Sequence, residues 1–311
     1  MDQITDILVI VNPLARDQPA VAKAAALARS LGAAIELLIC DTQSSRNAHM
    51  EGDLPPGNKA LLTDNVESLL EEVAEPLRDD GIDVTTHVIS GDPLHESVMA
   101  WMRNSPADLV VKDTHHHSLA RRAFADNSDW HLIRACLLPL LLTKPKIWDT
   151  HPVLMAAVDP GHANDPSAAL DHRILDVAAS MAKRFDAALH AAHAYFAATV
   201  LRAAVGGMPP ILGVSAQAMA AENALNRSRI RQITDRYGVA DANLHVDAGI
   251  AAEYLPRMAG EYHADIVVMG AIARSGLKRV LLGSTAERVL EALPCDVLVI
   301  KSPDFARNLP F

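Results

Sequence analysis

The 311-residue chain contains itself twice, and this repeat constrains its fold more than any other feature. Residues 7–13 (ILVIVNP) match residues 154–160 (LMAAVDP), with Val11-Asn12-Pro13 set against Val158-Asp159-Pro160, 147 residues apart. Pro19 pairs with Pro166 at the same spacing. Residues 107–111 (ADLVV) match 264–268 (ADIVV), 157 residues apart, and that spacing holds to Lys144 and Lys301. The second copy therefore carries a net insertion of ten residues (157 − 147). A period this long is too large for a solenoid repeat. It describes two copies of one domain, 1–147 and 148–311, joined around residues 147–151.

Each copy shows the same order of elements. A β-branched apolar strand opens it (7–11; 153–158), and an Ala-rich helix follows (19–31; 167–185). A second strand (34–40; 187–195) leads through an irregular stretch to a long helix (65–80; 216–237). A third strand ends at a glycine (85–91; 243–249), before a short helix (93–102; 251–261). A fourth strand (108–112; 265–269), a loop with a helix, and a fifth strand (138–143; 296–301) complete the copy. Alternating strands and helices imply parallel strands joined by right-handed crossovers. Strands apolar throughout, such as ILVIV, are buried on both faces of such a sheet. The expected fold class is therefore α/β, with two tandem doubly wound domains, each a five-stranded parallel sheet with helices on both faces. Ligands of such sheets bind beyond the carboxyl ends of the strands, where the strand order reverses. The residues after strands one and four are thus the ones to read.

After strand four of the second copy runs GAIARSGLKRVLLGSTAE, residues 270–287. Gly270, Gly276 and Gly283 let the backbone approach a ligand or take a positive φ. Ser284 and Thr285 stand directly before the helix 286–293, where they can cap it and where free N–H groups favour an anion. Arg274, Lys278 and Arg279 add positive charge. One reading is a phosphate cradle. The plainer one is a Gly-containing loop whose serine only caps a helix.

The pattern Gly270-x2-Ala273-x9-Gly283-Ser284 resembles the Gly-x2-Gly-x9-Gly-(Ser/Thr) signature of the universal stress protein family. The strand ending in Val158-Asp159, the final strand CDVLVIK (295–301) and the two-copy arrangement resemble the tandem branch of that family over nearly the whole chain. The resemblance implies an adenine nucleotide alpha hydrolase-like fold, a stress-response role and an ATP or other nucleotide site in the second copy. Asp159 would then lie beside the adenine or ribose, and Gly270, Gly283, Ser284 and Thr285 would line the phosphates or ribose. Ala273 departs from the signature, because nucleotide binders of the family carry a second glycine there. A methyl group is harmless at negative φ and unfavourable at positive φ. The only metal expected is the Mg²⁺ that a nucleotide brings.

The first copy has lost this loop. Gly270, Ala273, Gly283 and Ser284 correspond to Asp113, His116, Asp126 and Asn127, and Asp159 corresponds to Asn12. Carboxylates at two glycine positions repel a triphosphate, so this half is not expected to bind ATP in the family manner. His115-His116-His117, with His131 nearby, invites a metal reading. Successive residues point in different directions, and helical metal pairs prefer i, i+4 spacing. The expectation is a polar loop at the strand end. Ser128 or Asp129 is expected to cap a helix with Trp130 in the core.

Residues 195–214 (YFAATVLRAAVGGMPPILGV) hold the unusual apolar stretch of the second copy. They follow a strand end and so border the ligand crevice. They can pack against the other half or a second chain, or wall a pocket for an acyl or other apolar ligand; the tandem branch of the resembled family implies such a cavity. The apolar final strand of each copy is expected to bring the halves together, through the fifth strands or adjoining helices, and whole chains can pair as a homodimer.

Composition narrows the remaining classes. Aromatic residues make up only 4%, too few for a stacking platform for sugars or single-stranded nucleic acid. The formal charge of −10 argues against duplex DNA. No stretch of about 18 apolar residues suggests a membrane span, and the first residues lack the pattern of a signal peptide. Cys40, Cys136 and Cys295 are far apart and read as buried thiols of a cytoplasmic protein. No Gly-x-Ser-x-Gly elbow, P-loop or HExxH occurs. Three functions stay open: a non-catalytic nucleotide sensor, a carrier of an apolar ligand, and a slow ATPase.

Overall fold

The computed structural model describes residues 4–13, 15, 17–42, 66–114, 128–161, 169–197, 215–270 and 284–302. The chain divides into two compact units, Met1–Ile147 and Trp148–Phe311. In unit 1 the described elements are β1 (Asp6–Ile10), α1 (Pro19–Leu31), β2 (Ala34–Asp41), α2 (Val66–Asp79), β3 (Val84–Ser90), α3 (Leu94–Met102), β4 (Leu109–Asp113), α4 (Ser128–Ala135) and β5 (Leu140–Thr143). Unit 2 repeats the order with β6 (Val153–Ala157), α5 (Ala169–Phe185), β7 (Ala188–Tyr195), α6 (Ala216–Thr234), β8 (Leu244–Ala248), α7 (Ala251–Glu261), β9 (Ile266–Gly270), α8 (Ser284–Ala292) and β10 (Asp296–Ile300).

The strand order is β3-β2-β1-β4-β5 in unit 1 and β8-β7-β6-β9-β10 in unit 2, all parallel within each unit. The chain leaves each central pair, β1/β4 and β6/β9, in opposite directions, and this reversal opens a crevice at the strands' carboxyl ends. Leu8, Val9, Val110 and Val111 in unit 1, and Leu154, Met155, Val267 and Val268 in unit 2, are fully buried. Helices must therefore cover both faces of each sheet. Accordingly α1 packs on β1 and β4, α5 packs on β6 and β9, and the pairs α3/α4 and α7/α8 lie against each other.

Local sequence explains the helix ends. Pro19 sits at the start of α1, where its missing N–H costs nothing. Gly32 ends that helix with φ +67, and its N–H bonds to the Ala28 carbonyl at 2.8 Å. Ser215 caps α6 by accepting from the Ala218 N–H at 3.1 Å. The fourth strands begin one residue later than the pattern suggests. Asp108 and Asp265 are spent at the amino ends, where their carboxylates accept from the N–H groups of Thr5 (2.9 Å) and Val153 (3.0 Å). Strand β5 starts at Leu140 because Pro139 cannot donate to a ladder. The long helix of unit 2 stops at Thr234 and continues as a 3₁₀ turn to Tyr237.

Trp130 departs from expectation. It is only half-buried, and Leu132 and Ile133 fill the core beneath α4. Asp129 makes an ion pair with the buried Lys112 at 2.6 Å. All three cysteines are free and buried. No helix among the described residues is long and apolar enough to cross a membrane.

Unit 2 buries three histidines in its outer strands. His190 Nδ1 lies 2.9 Å from His245 Nε2, and His193 Nδ1 lies 2.9 Å from the Val158 carbonyl. Burial lowers the proton affinity of all three. For His245, burial together with the nearby His190 and Arg227 brings the pKa down from 6.5 to about 4. The unfolded chain is then the better proton acceptor, so stability is full above about pH 6.5 and falls as the pH drops towards 4. Thermal unfolding followed by circular dichroism is expected to show a lower Tm at pH 4.5 than at pH 7. The difference should shrink in His245→Asn.

Candidate functional site

The crevice of unit 2 contains a cavity of about 230 Å³ lined by residues of β6, α5, β7, α7, β9 and α8 and of the turns beside them. Its apolar lining includes Ala157, Ala192 and Ala194 from β6 and β7, together with Leu255, Met269 and Val289. Asp159, Asp171, Gly270 and Thr285 also line it. The small side chains at the ends of β6 and β7 are what leave the space.

Asp159 lies two residues beyond the end of β6. Its N–H donates to Oδ1 of the buried Asp171, in the first turn of α5, at 2.9 Å. This contact fixes the backbone after the strand and leaves the Asp159 carboxylate half-exposed, 52%. His193 Nδ1 stands 3.8 Å from that carboxylate. The Nδ1–H of His193 donates to the Val158 carbonyl, which sets the ring's orientation. Thr285 is in the first turn of α8, so the cavity borders N–H groups that have no partner within that helix.

Gly270 serves packing. A methyl group built on it would lie 2.6 Å from Leu170 Cδ2 and 3.2 Å from Leu170 Cγ. It is not among the glycines with positive φ. Leu170 of α5 occupies the space that a side chain would need, and this close helix approach is the observed reason for the glycine. The structure brings Asp159, Gly270 and Thr285 to one cavity. Ser284 opens α8 beside Thr285. Ala273, Gly276 and Gly283 lie outside the described residues, as do the basic residues Arg274, Lys278 and Arg279 and residues 198–214. Tyr195 is buried at the end of β7, and Phe196 is exposed. Sequence reasoning missed Asp171, His193 and the alanine floor. None has a motif; Asp171 and the alanines reach the cavity through a helix turn and strand register, and His193 stands beside Asp159.

The same place in unit 1 is built differently. Asp113, which stands where unit 2 has Gly270, is buried at the end of β4. Its Oδ1 accepts from the Ala20 N–H at 2.7 Å and from the Thr143 hydroxyl at 2.6 Å. Ala20 is in the first turn of α1, so the protein's own carboxylate occupies the helix terminus where an external anion would bind. Lys112 Nζ donates to the Asp113 carbonyl at 3.0 Å and pairs with Asp129. His131 stacks on His95 (4.0 Å between centroids, 9° between planes). His115, His116 and His117 lie outside the described residues. Among the described residues no group of three or more His, Cys, Asp and Glu could hold a metal ion.

The profile of the universal stress protein family matches twice, over residues 4–144 and 155–301. The chain belongs to the universal stress protein family. Universal stress protein E of Escherichia coli K12 is 26% identical over 307 residues, covering 98% of this chain and 96% of that protein. A universal stress protein E homolog of Haemophilus influenzae is 25% identical over 76% of this chain and 74% of its own. A functionally unknown protein from Pseudomonas aeruginosa PAO1 shares the fold with a TM-score of 0.75 and 27% identity, over 99% of this chain and 96% of that one. A universal stress protein from Archaeoglobus fulgidus has a TM-score of 0.65 at 16% identity, over 96% and 97% of the two chains, a likeness of fold. The chain is thus a tandem universal stress protein, of a family that serves the stress response.

Two substitutions test the contrast between the units. Gly270→Ala is expected to cost about 1–3 kcal/mol by forcing Leu170 aside. Asp113→Ala removes the acceptor of a helix N–H and a buried hydroxyl, and is expected to cost about 1–3 kcal/mol. Urea unfolding followed by tryptophan fluorescence measures both. Unchanged midpoints would show that neither contact matters.

Proposed function

We propose that unit 2 binds a nucleotide-type ligand, ATP or a relative of it, and that the chain acts as a non-catalytic ligand sensor in the stress response. The observation that carries this reading is the 230 Å³ cavity, which joins Asp159, Gly270 and Thr285 over a floor of alanines. The floor leaves room for a flat ring. The half-exposed Asp159 carboxylate can accept from ribose hydroxyl groups. The start of α8, with Ser284 and Thr285, offers N–H groups to a phosphate. Residues 271–283, with Ala273, Gly276 and Gly283, would complete the phosphate end, and any Mg²⁺ would enter with the nucleotide. Unit 1 does not share this role: where unit 2 has Gly270 it carries the buried Asp113, held at the start of α1, whose carboxylate repels a phosphate. Free, buried cysteines suit a reducing compartment, the cytoplasm.

A second reading is favoured by the carbon-rich lining: Leu170, Leu255, Met269 and Val289 would suit an apolar or acyl segment as well as a base. Native mass spectrometry of the freshly purified chain, then denaturation and identification of released molecules, separates the two. A retained adenine nucleotide supports the first reading; a retained acylated molecule without nucleotide supports the second. For the nucleotide reading, ATP at about 100 times its Kd is expected to add roughly 2.7 kcal/mol of stability. Asp159→Asn is expected to weaken ATP binding about tenfold, the loss of one charge-assisted hydrogen bond. Undiminished affinity in that variant, read by calorimetry, would remove Asp159 from the site.

A further inference from the structure

Unit 1 has a second cavity, of about 380 Å³, at the amino ends of its strands and away from the crevice. It opens between the starts of β1, β2 and β3 and the turn that follows α3. Its chemistry centres on Glu36 of β2, whose side chain is only 16% exposed. Trp101 Nε1–H donates to Glu36 Oε1 at 2.6 Å, and the Ser105 hydroxyl donates to Oε2 at 2.7 Å. His87 Nε2 lies 3.8 Å from Oε1, and its ring stands 4.9 Å from the Trp101 ring. Asp6 and Asp83 add two further carboxylates to the lining, which contains no Lys or Arg.

Three features of this arrangement point the same way. Each Glu36 oxygen accepts one hydrogen bond and has capacity for another. Among the described residues no Lys or Arg pairs with Glu36, although a carboxylate this sheltered normally gains a cation. The rings of Trp101 and His87 lie beside it, and an indole face attracts a cation within about 6 Å of its centroid.

The internal repeat supplies a control. Strand register sets Ile7 against Ile35 and Leu154 against Leu189, so Glu36 and His190 are equivalent. Leu38 pairs with His87 and Ala192 with His245, so those two histidines are equivalent as well. Ser105 corresponds to Tyr262, at the 157-residue spacing of this part of the repeat. In unit 2 the three residues fill the place with rings. Tyr262 lies 4.1 Å from His245 and 5.2 Å from His190, and the two imidazoles are hydrogen-bonded. The fold therefore does not require an opening here. In unit 1 a serine replaces the tyrosine and a carboxylate replaces a histidine, which leaves both the space and the charge.

We propose that this cavity of unit 1 binds a small organic cation, with an amine or guanidinium head set against the Glu36 carboxylate and beside the Trp101 ring. Its volume falls in the range of about 300–1,000 Å³ that suits a small molecule. A bare metal ion is a poorer occupant, because no group of three or more His, Cys, Asp and Glu among the described residues could hold one.

Agmatine, which carries both head groups, is the probe. Isothermal titration of the full chain at low ionic strength is expected to show saturable binding at one site, weakening with added salt. Glu36→Gln should weaken it at least about tenfold, the loss of a charge-assisted contact. Ser105→Tyr, which places unit 2's ring in the cavity, should abolish it. Circular dichroism establishes that each variant is folded, and if one is not, the wild type and the other variant decide. No saturable binding by the wild type, or wild-type affinity in either folded variant, overturns the proposal. Neither result bears on the unit 2 crevice, which shares no residue with this cavity.

Discussion

Burial of the central strand pairs on both faces is the constraint from which the rest of each unit follows. With Leu8, Val9, Val110 and Val111 inaccessible in one unit and their counterparts inaccessible in the other, the middles of these strands hold no polar side chain. Polar chemistry is confined to the strand ends. At the amino ends Asp108 and Asp265 tie the backbone of the neighbouring strand in the same manner. At the carboxyl ends the two units part: Asp113 stands in one and Gly270 in the other. The residue at this position thus decides whether the strand end carries an internal carboxylate or admits the close approach of Leu170.

The two units use one scaffold with opposite assignments of space. Unit 2 opens its crevice with alanines and fills its outer sheet face with His190, His245 and Tyr262. Unit 1 places a carboxylate at the α1 terminus in its crevice and opens a cavity at the far end, around Glu36 and Trp101. Duplication makes this division possible, because the strand ends of each copy can change independently of the other. The differences are local. They need changes at only a few positions, since the apolar strands between the two ends set the fold independently of what the ends carry.

Part of the candidate site is legible without structure. The glycine at the end of strand four, the aspartate after strand one and the hydroxyl residues at the start of the last helix all lie at positions that a doubly wound sheet sends to its crevice. The reason for Gly270 was less accessible. It depends on Leu170, a hundred residues away, whose side chain takes the place of a Cβ. Trp130 was misjudged because its size suggests burial, whereas the apolar stripe of α4 runs through Leu132 and Ile133. Glu36 has no motif around it, and its neighbours Trp101 and Ser105 are more than sixty residues distant.

By itself the sequence determined the duplication, the order of the elements, the parallel sheets and the half that retained a glycine loop. These follow from periodicity and apolar runs, which are properties of neighbouring residues. Only the tertiary structure decided which residues share a cavity, which carboxylate caps which helix, and where space remains. Those outcomes depend on strand register and helix approach, which bring together groups that are remote in the chain and differ by a methyl group or a single ring.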